Sequence, residues 1–235
     1  MKIRLKFSKE GEMKFIGHLD MVRYFQKAFR RCGIDIAYSQ GFSPHQQISF
    51  AAPLGVGLTS RGEYMDIIVN STQDSETMLD LINKEMVEGV RVLSYRRIDD
   101  ETKNSNAMSI IAAADYEVTF REGRRPEIDL EAALMEFYRQ PQISVLKKTK
   151  KSEKEVDIRP LIYDLKVDGD RIFMRLSTGS VANLKPELVM DTFMKSIGST
   201  LGDYDLLVCR LEMYADSGQG FIALEDMGRD VEQDG

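Results

Sequence analysis

Apolar residues recur at three- and four-residue steps in four stretches of the chain, and each stretch has its own end signals. Between 18 and 32, His18, Val22, Phe25, Phe29 and Cys32 fall on one face, and Gly33 follows as a C-terminal stop. The second stretch begins after the cap residues Asp74 and Ser75 and repeats Met78, Leu81, Ile82 and Met86. The third starts near Asp129, sets Leu130, Leu134, Phe137 and Tyr138 inward, and ends before Pro141. The fourth has Pro186 in its first turn, then Leu188, Val189, Phe193 and Ile197, with Gly198 as its stop. Four helices are predicted. Period-two alternation predicts strands at 2–8, 34–39, 64–70, 90–98, 109–121, 161–167, 171–177 and 205–214, with Asp168-Gly169 as a tight hairpin turn.

The order reads β-α-β-β-α-β twice over, and the helix starts near 18, 74, 129 and 186 lie 56, 55 and 57 residues apart. Such regularity in elements, without identical residues, predicts a duplication. Each half fits a split βαβ unit, so the expected fold is α+β: tandem ferredoxin-like halves, antiparallel sheets with helices on one face. The expected division is 1–100 for the first half, with a long inserted loop at 38–63, and 107–215 for the second. The break falls in the polar stretch 99–106, and 216–235 is expected to be an acidic, flexible tail.

Composition narrows the setting. A chain of 235 residues can bury roughly 70% of its unfolded surface, enough for one large domain or two small ones. No apolar run reaches the roughly 20 residues of a membrane span, and residues 1–7 lack the apolar core of a signal peptide, so no membrane association and a cytoplasmic location are expected. Cys32 and Cys209 each sit in an apolar pattern and are expected to be free thiols rather than a disulfide. The net charge of −6 is unevenly spread. Residues 1–50 hold nine Lys and Arg against four Asp and Glu, 147–159 hold six against three, and 216–235 hold one against six. Locally basic segments of an acidic protein still attract polyanions.

The segment 38–63 is the unusual one. Its four glycines, two prolines and scattered apolar residues argue for an ordered loop, and long ordered loops tend to carry function. Gln40, Gly41, Phe42, Ser43, Pro44 and His45 combine a permissive backbone point, an aromatic face, a hydroxyl, a rigid turn and an imidazole, a set suited to close approach of a ligand. Gly55-Val56-Gly57 is too short for a dinucleotide fingerprint and no phosphate loop exists. His18 and His45 are the two histidines of the chain and the weak candidates for acid–base work, lacking an evident carboxylate orienter. No ligand set with recognisable metal spacing exists, and no cofactor is expected. On the outer face of the first helix, beyond Asp20, the cations Arg23, Lys27, Arg30 and Arg31 form a stripe able to meet phosphates, with Tyr24 on its flank able to stack on a base. In the second half, Arg159, stiffened by Pro160, is the candidate anion contact.

The block 15–64 resembles the hallmark region of the radical-SAM-linked protein family of unknown function. The residues that carry the likeness are Gly17-His18-Leu19-Asp20, Arg23, Arg30, the run from Gln40 to His45, Ser49, Pro53-Leu54, Gly57, Ser60 and Glu63-Tyr64, with a looser match through Asp157-Ile158-Arg159-Pro160-Leu161. The resemblance implies a partner radical SAM enzyme and a ligand site built from His18, Asp20, Arg23, the 40–45 run, Ser49 and Arg159. With two distant cysteines, the chain cannot itself hold the three-cysteine cluster of such an enzyme. The tandem architecture is also similar to that of CRISPR RNA-processing endonucleases, but only Gly218-Gln219-Gly220-Phe221 stands where their glycine-rich loop would be. The expected function is thus a non-catalytic substrate-binding or accessory module working with a radical SAM enzyme and recognising RNA or a translation-related component. The alternative is an RNA-processing or RNA-modifying enzyme that uses His18 and His45.

Overall fold

The computed structural model describes residues 1–99, 106–148 and 153–232. Most of the break expected at 99–106, and the middle of the basic run 147–159, lie outside the described residues. The described residues form a mixed α/β structure with mostly antiparallel strands and five helices. In chain order these are β1 (Lys2–Lys9), α1 (His18–Arg31), β2 (Ile48–Phe50), β3 (Thr59–Ile68), α2 (Ser75–Asn83), β4 (Val90–Ile98), α3 (Ala107–Ile110) and β5 (Ile111–Phe120). There follow α4 (Leu130–Arg139), β6 (Ser144–Lys148), β7 (Glu153–Asp157), β8 (Ile162–Asp168), β9 (Arg171–Ser177), α5 (Pro186–Ser196), β10 (Leu206–Asp216), β11 (Phe221–Ala223) and β12 (Arg229–Asp230). The chain divides into two compact units, one of residues 1–112 and 210–235, the other of residues 113–209.

In the first unit β1 lies between β3 and β4, antiparallel to both, and β2 pairs with the far edge of β3. Alternation along β1 sorts its side chains. Ile3, Leu5 and Phe7 meet Met21, Phe25 and Phe29 of α1 and Met78 and Ile82 of α2 in one buried cluster. The opposite parity holds Arg4 and Lys6, paired in register with Asp66 and Tyr64 of β3. Gly62 is required where β3 runs close to β10, because a Cβ there would sit 2.4 Å from the Leu211 carbonyl oxygen. In the second unit β5 and β8 flank β9, both antiparallel to it, and β6 and β7 form a separate hairpin. Phe137 of α4 meets Phe193 of α5 edge-on, at a ring separation of 5.6 Å.

Four of the five helices begin where the sequence places them, and α3 is a single turn at the start of the strand expected from 109. Asp74 and Asp129 cap α2 and α4 by accepting the amide protons of Thr77 and Ala132. Three expectations change, the first being the order of the second half, where the hairpin β6–β7 stands between α4 and β8 and none was expected. The strand expected at 34–39 is reduced to isolated bridges at Ile36 and Tyr38, and the strand beside β3 is β2, inside the segment read as loop. Beside the first bridge the Asp35 carboxylate accepts from the Asn70 and Ser71 side chains. The acidic segment from 216, read as a flexible tail, carries β11, a 3-10 turn at Leu224–Met227 and β12. Its Leu224 is fully buried, and β12 pairs with β4. Among the described residues no helix is long and apolar enough to cross a membrane.

Candidate functional site

Residues 38–47 form a narrow hairpin attached to the edge of β3. Ala37 donates to Ile68 O at 2.8 Å, Ile68 donates to Gln47 O at 3.1 Å, and Tyr38 bridges Gln46. At its throat the Ser39 amide donates to His45 O at 2.9 Å, and the His45 amide donates to Ser39 Oγ at 3.1 Å. Ser39 Oγ also lies 2.8 Å from His45 Nδ1. Either atom can be the donor in this contact. These bonds fix the base of the turn. Beyond them Gln40 to Pro44 stand in solvent, Gly41 holds φ at 111°, and Phe42 is fully exposed.

The first helix presents its cations outward, all four exposed. Arg23 pairs with Asp20 at 3.1 Å in a solvent-exposed i,i+3 bridge. Arg31 is held by the Glu85 carboxylate at 2.6 Å and by its carbonyl at 3.2 Å. Lys27 and Arg30 have no partner among the described residues. The free part of the stripe is therefore two cations wide, with Arg23 beside it in a weak pair.

His18, at the first turn of α1, meets Phe50 of β2 edge-on, ring centroids 5.1 Å apart. It lines a small cleft with Phe7, Lys9, Leu54 and Glu63. Lys9 is 3% exposed and donates to Ile16 O at 2.7 Å. Burial pulls its ammonium below the usual lysine range, although the Glu63 charge resists. Glu63 accepts two bonds from Arg210, at 2.7 and 2.6 Å, and Arg210 also donates to Ala52 O at 3.0 Å. The cleft is lined by residues 52–54 and not by 40–45. So His18 belongs with Lys9 and Glu63, while His45 is tied within its own hairpin. Ser49 sits on β2 opposite Asp66. Lys9 and Arg210 were not singled out from sequence, and Glu63 only as part of the family-like block, although each is a charge set in an apolar strand pattern.

On the other face of the first unit's sheet, Arg4 is fully buried and grips Asp66 with two bonds, at 2.8 and 3.1 Å, while donating to Leu224 O at 3.1 Å. Lys6 donates to Glu212 at 2.6 Å and to Glu225 at 2.5 Å, and the Tyr64 hydroxyl donates to Glu212 at 2.5 Å. Burial alone would lower the Lys6 ammonium, but its two carboxylate bonds outweigh that and raise it. Burial first, and then the Glu212 charge, push the Tyr64 phenol far above its usual range.

In the second unit the Arg159 side chain is turned inward. It donates to Tyr138 O at 2.7 Å and Ile162 O at 3.1 Å and stacks 4.0 Å from the Tyr138 ring centre. Its fork is engaged in joining the end of α4 to the start of β8. Cys32 and Cys209 are not joined in a disulfide. No curated protein matches the chain. The family model described as an uncharacterized protein conserved in bacteria, DUF2344, matches residues 2–186. The match spans most of the chain, including α1, the 38–47 hairpin and Glu63, so the chain belongs to the DUF2344 family.

Proposed function

We propose that the protein is a binding module without turnover of its own, which recognises single-stranded RNA on behalf of a radical SAM enzyme in the cytoplasm. The observation that carries this reading is Phe42, fully exposed at the tip of a hairpin whose throat is fixed by Ser39 and His45. Leaving a phenylalanine in water forgoes roughly 1.5–3 kcal/mol of burial, and a pinned aromatic is a ready stacking platform for a base. Lys27 and Arg30 support the reading as cations available to phosphates. The partner enzyme is inferred from the resemblance of the block 15–64 alone. In fold, the order β4-β1-β3-β2 in the first unit and the flanking of β9 by β5 and β8 in the second support a ferredoxin-like reading of each unit.

The test is fluorescence anisotropy with a labelled single-stranded RNA over a salt series. Phe42→Ala should weaken binding by about fivefold to 150-fold, the range for losing one base stack. Lys27→Ala with Arg30→Ala should flatten the log–log salt slope by about 1.4, the value for two single-strand phosphate contacts. Absence of salt-sensitive RNA binding by the intact chain would overturn the reading. The partnership is tested separately, by whether the radical SAM enzyme's turnover requires this chain.

A further inference from the structure

Each unit has an edge strand, and the two edges are finished differently. In the first unit the outer side of β4 is closed by groups from other elements. The Asn83 side chain donates to Val92 O and accepts from the Val92 amide, both at 2.9 Å. Ser75 Oγ donates to Tyr95 O at 2.6 Å, and β12 pairs with Arg96 and Arg97. In the second unit β8 pairs with β9 on one side, and among the described residues no strand lies on the other. The hairpin fixes which groups face outward. Asp168 and Arg171 close the two-residue turn, so Asp168, Lys166 and Asp164 exchange backbone bonds with Arg171, Phe173 and Arg175. The peptide groups of Val167 and Leu165 therefore point away from β9. An open edge of this kind is a template for another strand.

The charges along β8 say which strand. The Leu165 amide is held by its neighbour, Asp164 Oδ1, at 3.0 Å, and Asp164 pairs along the strand with Lys166 at 2.8 Å. Both side chains are open to water, at 47% and 72% exposure. Arg175 and Asp115, on the same face, engage each other and leave this pair alone. Set a second β8 antiparallel to the first, Leu165 opposite Leu165. Those residues then take the position where two peptide groups exchange bonds, and Asp164 and Lys166 take the flanking positions, where side chains stand closest. Each Asp164 faces a Lys166 of the second copy, and with the pair already present along each strand the four charges alternate in sign round a square. A pairing centred on Lys166 would set lysine against lysine and Asp164 against Asp168, and one centred on Val167 would run into the turn at 169–170.

We propose that the protein associates through β8 with a second copy of itself, in a two-fold antiparallel pairing centred on Leu165. The partner is a second copy because one short strand supplies both halves of the charge pattern, as a two-fold interface requires. On association the Asp164 carboxylate releases the Leu165 amide to the carbonyl of the opposite Leu165 and turns to the opposite ammonium. A single seven-residue strand is a small interface beside that of a permanent dimer, so association is weak and concentration-dependent. β8 carries none of the residues assigned to RNA, so the two readings fail independently.

The experiment is sedimentation velocity of the full chain at low salt over a concentration series, with Asp164→Lys, with Lys166→Glu, and with the two variants mixed. The unaltered chain should dimerise as concentration rises. Each variant alone places like charges at all four positions and should dimerise about tenfold or more weakly, since two cross-strand pairs change sign. The equimolar mixture sets the lysines of one chain against the carboxylates of the other and should restore association. Hydrogen exchange of the unaltered chain reads the same edge without a substitution, because the Val167 amide should become protected as concentration rises. If either variant does not fold, this measurement decides alone. The proposal is overturned if the chain stays monomeric throughout, if either variant dimerises as well as the unaltered chain, if the mixture associates no better than its components, or if exchange in β8 does not slow with concentration.

Discussion

In the first unit, Arg4–Asp66 and Arg210–Glu63 keep their charges almost wholly out of water, at 0% and 5% and at 3% and 4% exposure. In the second, Arg175 grips Asp115 across β9 and β5 with equally short bonds, 2.7 and 2.8 Å, but at 33% and 25% exposure, and the Arg171 side of its pair with Glu117 is more open still. Both units place an arginine opposite a carboxylate on neighbouring strands, although the second carries an additional hairpin, β6–β7, between its helices. The cover differs. The Leu224–Met227 turn lies over the first unit's polar sheet face, so charges that alternation would assign to solvent are sealed. A buried ion pair gives little net stability over an apolar replacement, yet losing one partner is severe. The first unit thus depends on its charges more than the second does.

Replacing one partner in each unit tests that difference and has the largest expected effect. Arg210→Met leaves Glu63 buried and unpaired, and chemical denaturation should show a loss of about 3–5 kcal/mol. Arg175→Met leaves Asp115 able to reach water, and the loss should be about 1 kcal/mol or less. Equal losses would mean that burial does not separate the two units.

The alkaline limb of stability sharpens the same comparison. The Tyr64 phenol is raised above its ordinary 10.0, so its contribution is complete below pH 10 and is lost as pH rises beyond it. Tyr95, pushed up to about 12 chiefly by burial, behaves alike over a window that closes sooner. Lys6, raised above 10.5, adds to the loss, whereas Lys9, lowered from 10.5, has the opposite sign and acts below that value. Denaturation above pH 10 should therefore be steep, and Tyr64→Phe should flatten it by about 1.4 kcal/mol per pH unit, one proton's worth. An unchanged slope would remove Tyr64 from the network. These groups all belong to the first unit.

What was legible in the sequence was local. Helix faces and caps repeat within a turn or two, so α1, α2, α4 and α5 could be placed from spacing alone. β4 and β9 could be bounded to the residue. What joins residues 62 or 147 positions apart could not be read, because nothing in the alternation of β1 says that Arg4 finds Asp66 or that Glu63 finds Arg210. The 38–63 segment was legible as ordered and unusual. Its strand was not, since three residues are too few for alternation to register. The two histidines, conspicuous as the chain's complement, suggested a pair. The fold gives each a different set of neighbours, Phe50 for His18 and Ser39 for His45. Arg159 was legible as a constrained arginine, but its constraint serves the peptide carbonyls of its own unit.

The smallest effect is also the one that should be equal in the two units. Asp74 caps α2 through a 2.9 Å bond from the Thr77 amide, with a second from the Thr77 hydroxyl at 2.8 Å, and Asp129 caps α4 through a 3.0 Å bond from the Ala132 amide. In each case one otherwise unpaired amide of the first turn is satisfied and a negative charge meets the positive end of the helix. Replacement by alanine should cost about 1 kcal/mol at either place, a fall of about 2–4 °C in Tm for a chain of this length. Asparagine retains the acceptor and loses only the charge, so it should recover most of the loss at both sites. Caps obey the same local rule wherever a helix begins, and their cost does not depend on what covers a sheet some residues away. If Asp74→Ala were several-fold worse than Asp129→Ala, the contrast between the units would extend beyond their buried charges into their helices. If the two are equal, it stays with the ion pairs.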